Sequence, residues 1–188
     1  MKKKFNLKAF ETLPKNLKPS DYVDILLFLA HEKPCFRLGY NHPSVYQDML
    51  AWCKENSLTF IVSKAGFMYI SKNFFLALIA KIVDDSTLNH AYIFGKILGY
   101  PTCCSKRIAE IGESKIDEYE KELISNADFQ EPYHKINPEG YIEGYSLISH
   151  IPCCETCRKS LEKANSAYEV ILKYKEHPSF EKWRKHWF

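Results

Sequence analysis

Five of the seven cysteines in this 188-residue chain fall in two short, proline-led groups, 99-GYPTCC-104 and 150-HIPCCETC-157. If both groups serve one chemistry, the chain between Cys104 and Cys153 must fold back to bring them together. The local signals say how. Gly99 supplies a helix stop and Pro101 prevents continuation, so Cys103 and Cys104 open a new helix. Pro152 suits a first-turn position, which places Cys153, Cys154 and Cys157 in the first turns of a long helix reaching about Glu176. Free N–H groups and the macrodipole at such helix starts favour thiolate, the form that binds metal or attacks an electrophile. Helical spacing puts Cys153, Cys157, Leu161, Ala164 and Tyr168 on one apolar stripe, with Cys154 at its border. Cys104, Ile108 and Ile111 share the inward face of the earlier helix, and Cys103 lies beside Arg107. His150 is near enough to add a ligand or a proton.

Isolated cysteines on apolar faces usually only pack, and Cys35 and Cys53 are read that way. Five thiols in two clusters are different. A CxxC (Cys154 to Cys157) overlaps a CxxxC (Cys153 to Cys157), and with the CC pair they supply the thiolates that a tetrahedral zinc or an iron–sulfur cluster needs. The odd count argues against an all-disulfide scheme. Neither group is an isolated zinc knuckle, and adjacent cysteines seldom share one ion comfortably; both Cys103 and Cys104 are candidate ligands, with room for one of them to be spare. A [4Fe–4S] cluster tolerates wider ligand spacing and is the favoured of the two cofactors.

The remaining sequence bounds the setting. Hydrophobic residues make up 46%, with 12 Tyr and 12 Phe, enough for a sizeable core. A formal charge of +3 argues against a protein devoted to nucleic-acid phosphate, though a local basic patch stays open. The opening MKKKFNLKAFETLPKNL lacks an apolar signal core, and 25-ILLFLA-30 and 74-FFLALIA-80 are too short to cross a bilayer. A cytoplasmic protein with no membrane contact, its cysteines kept as thiols or metal ligands, is the expectation. There is no GxGxxG, Walker, HExxH or GxSxG element.

Along the chain, residues 1–19 read as a flexible basic arm and 20–188 as one α-rich domain, its cysteine half spanning about 86–177. Ser20 and Asp21 cap a helix to about His31, with Tyr22, Ile25, Leu26 and Leu29 on one face. A turn region holds Pro34, Gly39 and Pro43, and a helix over 44–56 turns Val45, Met49, Trp52 and Cys53 inward. The runs 58–63 and 67–72 flank Lys64-Ala65-Gly66 as a β-hairpin. Residues 73–83 form an apolar helix, and Ser86 caps another to Leu98. There Gly95 implies close approach of a neighbouring element, and His90 reads as structural. A charged helix runs from about 102 to 125. The segment 126–145 is long for a structureless loop and fits a lid or binding loop, with Tyr133, His134 and Tyr141 as candidate pocket cover. Residues 146–150 read as a short strand. The tail 182-KWRKHWF-188 can stack on bases but more readily docks its aromatics on the core. The fold class is α+β, mostly α-helical, with a small hairpin near 58–72.

The paired motifs GYPTCC and HIPCCETC, with Ser160 soon after, resemble an uncharacterised, mainly archaeal family catalogued as domain of unknown function 483. The resemblance covers about residues 85–165. It implies a cysteine-based site of unassigned chemistry whose family-type thiols are Cys103, Cys104, Cys153 and Cys157; Cys154 stands where the family has Ser, which makes it the bystander.

Three functions follow. In the first, Cys103, Cys104, Cys153 and Cys157, with His150 as a further candidate ligand, converge on one zinc or iron–sulfur centre, catalytic if one position is open to a small-molecule or macromolecular substrate. In the second, Cys103 or Cys153 is a low-pKa nucleophile resolved by a neighbouring Cys, with His150 as base. The third is a nucleic-acid-binding or interaction module built around structural zinc.

Overall fold

The computed structural model describes residues 5–40, 43–86, 90–126 and 133–188. It is a mostly helical α+β fold around one small antiparallel sheet. The expected hairpin is present as β2 (Thr59–Val62) and β3 (Phe67–Ser71), closed by Gly66 at φ +86°. A further strand, β1 (Cys35–Gly39), pairs with the other edge of β3 in the register Cys35↔Ser71 to Gly39↔Phe67. The sequence reading took this segment for a turn because Pro34 and Gly39 bound it, leaving only five residues to show a period. Alternation divides the sheet. Phe36, Leu38, Met68 and Ile70 join the main core, whereas Cys35 and Tyr69 join a smaller one with Ala77, Ala80 and Leu98.

The main core is built on α2 (Pro19–Leu29), in which Val23 and the run from Ile25 to Leu29 are all buried. Pro19 takes the first-turn position, and the Asp21 carboxylate accepts the Lys18 N–H at 2.9 Å. Against it pack α3 (Pro43–Glu55), through Met49, Trp52 and Cys53, and the N-terminal segment. From Phe5 onward that segment is not a loose arm. Phe5, Phe10, Leu13 and Leu17 are buried, α1 (Leu7–Glu11) is capped by Asn6, and Trp52 Nε1 donates to the Ala9 carbonyl at 2.8 Å. These four apolar residues and the buried Ala9, spaced through a lysine-rich stretch, outweigh its charge; residues 1–4 lie outside the described residues.

The smaller core is covered by α4 (Phe74–Asp84), capped by the Asn73 side chain, and α5 (Ala91–Ile97). Residues 87–89 are outside the description, and Ser86 is not a cap: α5 starts at Ala91, after His90. Gly95 does mark a close approach, since a Cβ there would stand 2.5 Å from Ser105 Oγ. Gly99, at φ +81°, ends the helix, and α6 (Thr102–Ile111) follows Pro101. The expected charged helix is broken at Gly112 (φ +85°) and resumes as α7 (Ile116–Asn126).

Residues 127–132 and the Tyr133 and His134 side chains, half of the expected lid, lie outside the described residues. The other half is anchored. A 3-10 turn over Tyr133–Ile136 leads to α8 (Glu139–Glu143), where Tyr141 donates its hydroxyl to Asp24 Oδ2 at 2.6 Å. Residues 146–150 make no strand; Ser146 Oγ instead closes a local turn with Ile148. The long helix, α9 (Arg158–Lys173), starts six residues later than Pro152 suggested. Finally α10 (Glu181–Trp187) docks as expected: Phe180 and Trp183 are fully buried, Phe180 stacks on Phe10 at 4.9 Å, and Trp187 Nε1 donates to the Tyr145 carbonyl at 3.1 Å.

Gly144 sits at φ +78° with a Cβ position 2.5 Å from Pro19 Cβ and 2.7 Å from the Pro19 carbonyl oxygen. Gly144→Ala therefore combines left-handed strain with a backbone clash and is expected to cost about 2–3 kcal/mol in urea unfolding, whereas Gly112→Ala, with open space around it, should cost less.

Candidate metal centre

The two cysteine groups meet. Cys104 and Cys157 sulfurs lie 3.6 Å apart, Cys103 and Cys157 3.7 Å, and Cys103 and Cys104 3.9 Å. With Cys153 they form a set whose sulfurs all lie within 4.8 Å of one another. A tetrahedral ion with metal–sulfur bonds near 2.3 Å needs sulfur–sulfur edges of about 3.8 Å. Both adjacent cysteines belong to the set, so neither is spare.

The local folding that produces this differs from a simple pair of helix starts. Cys103 and Cys104 do occupy the first turn of α6. Cys153 and Cys154, however, precede α9, and Cys157 is its N-cap residue. The Cys157 N–H bonds the Cys154 carbonyl at 3.2 Å, and Tyr119 donates its hydroxyl to the Pro152 carbonyl at 3.1 Å. The segment thus curls as a turn and returns Cys153 toward α6, which a helix from Pro152 would not do. Cys154 points away: it is exposed, and its sulfur meets Thr156 Oγ1 at 3.9 Å.

Ser160 organises the sulfurs from behind. Fully buried, its hydroxyl lies 3.4 Å from Cys104 Sγ and 2.8 Å from His150 Nε2. Burial opposes ionisation of Cys157, but the hydroxyl and N–H of Ser160 and the thiols of Cys153 and Cys104 bring its pKa down to about 7. Burial pushes Cys104 up to about 12, against hydrogen bonds from Ser160 and the Cys153 N–H, and burial next to Cys104 also raises Cys153. Cys157 ionises readily while Cys104 and Cys153 await a positive charge, a pairing that a divalent cation completes. Cys35 and Cys53, each buried alone, are pushed up to about 12 by that burial and only pack.

His150 is not one of the four ligands that meet. It reaches the centre only through Ser160, its ring 5.2 Å from that of Tyr100. Burial, then Lys33 and Lys163, lower its pKa to about 3, so it stays a neutral imidazole and a weak base. The consequence for stability has a definite sign. An unfolded histidine protonates near pH 6.5 and the folded one does not, so His150 contributes stability fully above that pH and progressively loses it toward pH 3. His150→Gln is expected to flatten the fall in unfolding free energy between pH 6.5 and 4 by about 2–3 kcal/mol; parallel curves for the two proteins would contradict this.

Two features near the centre went unread in the sequence. Lys33 and Asp24 form a buried ion pair, with Lys33 Nζ also donating to Ser149 Oγ at 2.8 Å and lying 5.0 Å from the Tyr100 ring. The signal was there: Asp24 interrupts an otherwise apolar run, VDILLFLA. The second is a cavity of about 420 Å³ beside Cys104, bounded by α5, α6, Tyr100 and His150. No helix among the described residues is long and apolar enough to cross a membrane. Comparisons with protein-family models, curated proteins and solved structures each find no match to this chain.

Proposed function

We propose that the chain is a metalloprotein in which Cys103, Cys104, Cys153 and Cys157 hold a single tetrahedral ion, zinc by preference, in a reducing, cytoplasmic setting. The sulfur spacing carries this reading: 3.6–3.9 Å among Cys103, Cys104 and Cys157, with Cys153 within 4.8 Å of all three. In a [4Fe–4S] cluster each thiolate binds a different iron, which sets the sulfurs wider apart than the edges around one ion. The slight preference for a cluster that the sequence suggested therefore gives way to a mononuclear site. Four thiolates leave no open position, as in structural zinc sites, so the centre's task is to fix α6 to the turn before α9 and so shape the adjoining cavity. The four are the family-type thiols of the motifs described above, and membership of that family is part of the same proposal.

The thiol-enzyme alternative needs a base at a cysteine, and His150 touches none of them. Of the aromatics offered for nucleic-acid stacking, Trp183 is buried and Trp187 bonds the Tyr145 carbonyl, so Phe188 is the exposed one of the three. Anaerobically purified protein should contain one metal per chain and no acid-labile sulfide. With the ion in place, Cys154 should alkylate quickly at neutral pH and Cys103 slowly, although both are exposed; chelation should release Cys103 to react. Rapid alkylation of Cys103 in protein shown to be metal-loaded would refute the proposal.

A further inference from the structure

The cavity beside the metal centre has a chemical character of its own. Phe94, Leu98, Ile108, Ile116 and Ile151 give it apolar walls, and Arg37 reaches it from β1. Arg37 is held by stacking: its guanidinium carbon is 4.7 Å from the Phe67 ring and 5.3 Å from that of Phe94. Only Nη1 is engaged, with Asp84 Oδ1 at 2.9 Å and Oδ2 at 3.0 Å, and the side chain remains 39% exposed. Nε and Nη2 have no protein acceptor among the described residues.

The charge partners do not cancel this donor capacity. Asp84, which also lines the cavity, accepts two contacts from Arg37 and the Tyr69 hydroxyl at 2.5 Å, so three of its roughly four acceptor positions are taken by the protein. His150 is neutral, and the Lys33 charge behind Tyr100 is matched by Asp24. The unspent polar capacity of the cavity is thus a planar, aromatic-flanked set of guanidinium donors, the geometry that carboxylates pair with. At about 420 Å³ the space lies within the usual range for small-ligand sites, and a few placed polar groups on apolar walls is the usual composition.

We propose that this cavity binds a small hydrophobic monocarboxylate, its carboxylate on the free edge of Arg37 and its apolar body against Phe94, Leu98, Ile108, Ile116 and Ile151. The proposal is independent of the metal's identity, since Arg37 and these walls lie outside the thiolate set. Because Arg37 shares its charge with Asp84, affinity for a minimal probe should be about millimolar.

The test is an NMR titration of the metal-loaded full chain with sodium benzoate and, separately, with neutral benzyl alcohol. Benzoate should give saturable shifts at Arg37 Nε–H, Phe94 and Ile151 below about 20 mM, and benzyl alcohol should bind at least about ten-fold more weakly. Arg37→Gln should weaken benzoate by about ten-fold; because Asp84 then loses its partner, Ile116→Trp, which fills the space and keeps the ion pair, serves as the second variant and should abolish binding. Equal binding of the two probes, shifts that do not saturate or lie elsewhere on the protein, or undiminished benzoate affinity in both variants would overturn the proposal.

Discussion

Cys157→Ser should lose the bound metal outright and unfold at a temperature lower by about 8–16 °C. An ion present at a thousand times its dissociation constant stabilises a fold by about 4 kcal/mol, and each kcal/mol moves the midpoint of a chain this size by about 2–4 °C. Cys157 is the informative position because it touches both α6 cysteines and its own ionisation is favoured by Ser160. Cys154→Ser should bind metal and melt like the parent, since Cys154 faces solvent and Thr156. The pair of variants, followed by metal analysis and thermal denaturation with the same metal present, separates loss of a ligand from loss of a surface thiol. A Cys157→Ser protein that retains one ion per chain at parental affinity would remove Cys157 from the centre.

The second large effect is expected away from the sulfurs. Lys33 and Asp24 are buried together, and each has one further hydrogen-bond partner, Ser149 for the lysine and Tyr141 for the aspartate. Lys33→Met leaves a carboxylate in the interior without its counter-charge and should destabilise by about 3–5 kcal/mol, measured by urea unfolding near neutral pH. Combining it with Asp24→Asn removes the orphaned charge, so the double variant should be more stable than Lys33→Met alone. If the two changes simply add, or each costs under about 1 kcal/mol, the pair is not acting as a buried unit. Lys33 also helps to hold His150 neutral, so Lys33→Met should raise the His150 pKa, a shift visible by NMR that a purely structural loss would not produce.

The comparison of sequence with fold divides by the range over which each signal acts. The Lys64-Ala65-Gly66 hairpin, the Asn73 and Pro101 helix starts and the Gly99 stop are written within a few residues, and the structure has them where the residues put them. The four sulfurs that meet were also legible, because five cysteines in two proline-led groups exceed what packing requires. What failed was the route. Helical spacing placed Cys153 and Cys157 on a stripe of α9, yet the segment is a turn, tied by Tyr119 from α7. That contact is long-range and leaves no mark in a local period. Likewise β1 is too short to show alternation and exists because β3 offers it an edge. His150 looked like a ligand by proximity in sequence, but Ser160, in the first turn of α9, intervenes. Asp24 stands out in the apolar run VDILLFLA, but that its partner is Lys33, and that Arg37 meets Asp84, only the fold reveals.

The most direct test of the central claim is X-ray absorption at the edge of the metal found in the anaerobically purified protein. The account predicts one shell of four sulfurs at about 2.3 Å, with no metal–metal distance. A short metal–metal vector, a nitrogen in the first shell from His150, or fewer than four sulfurs would contradict it.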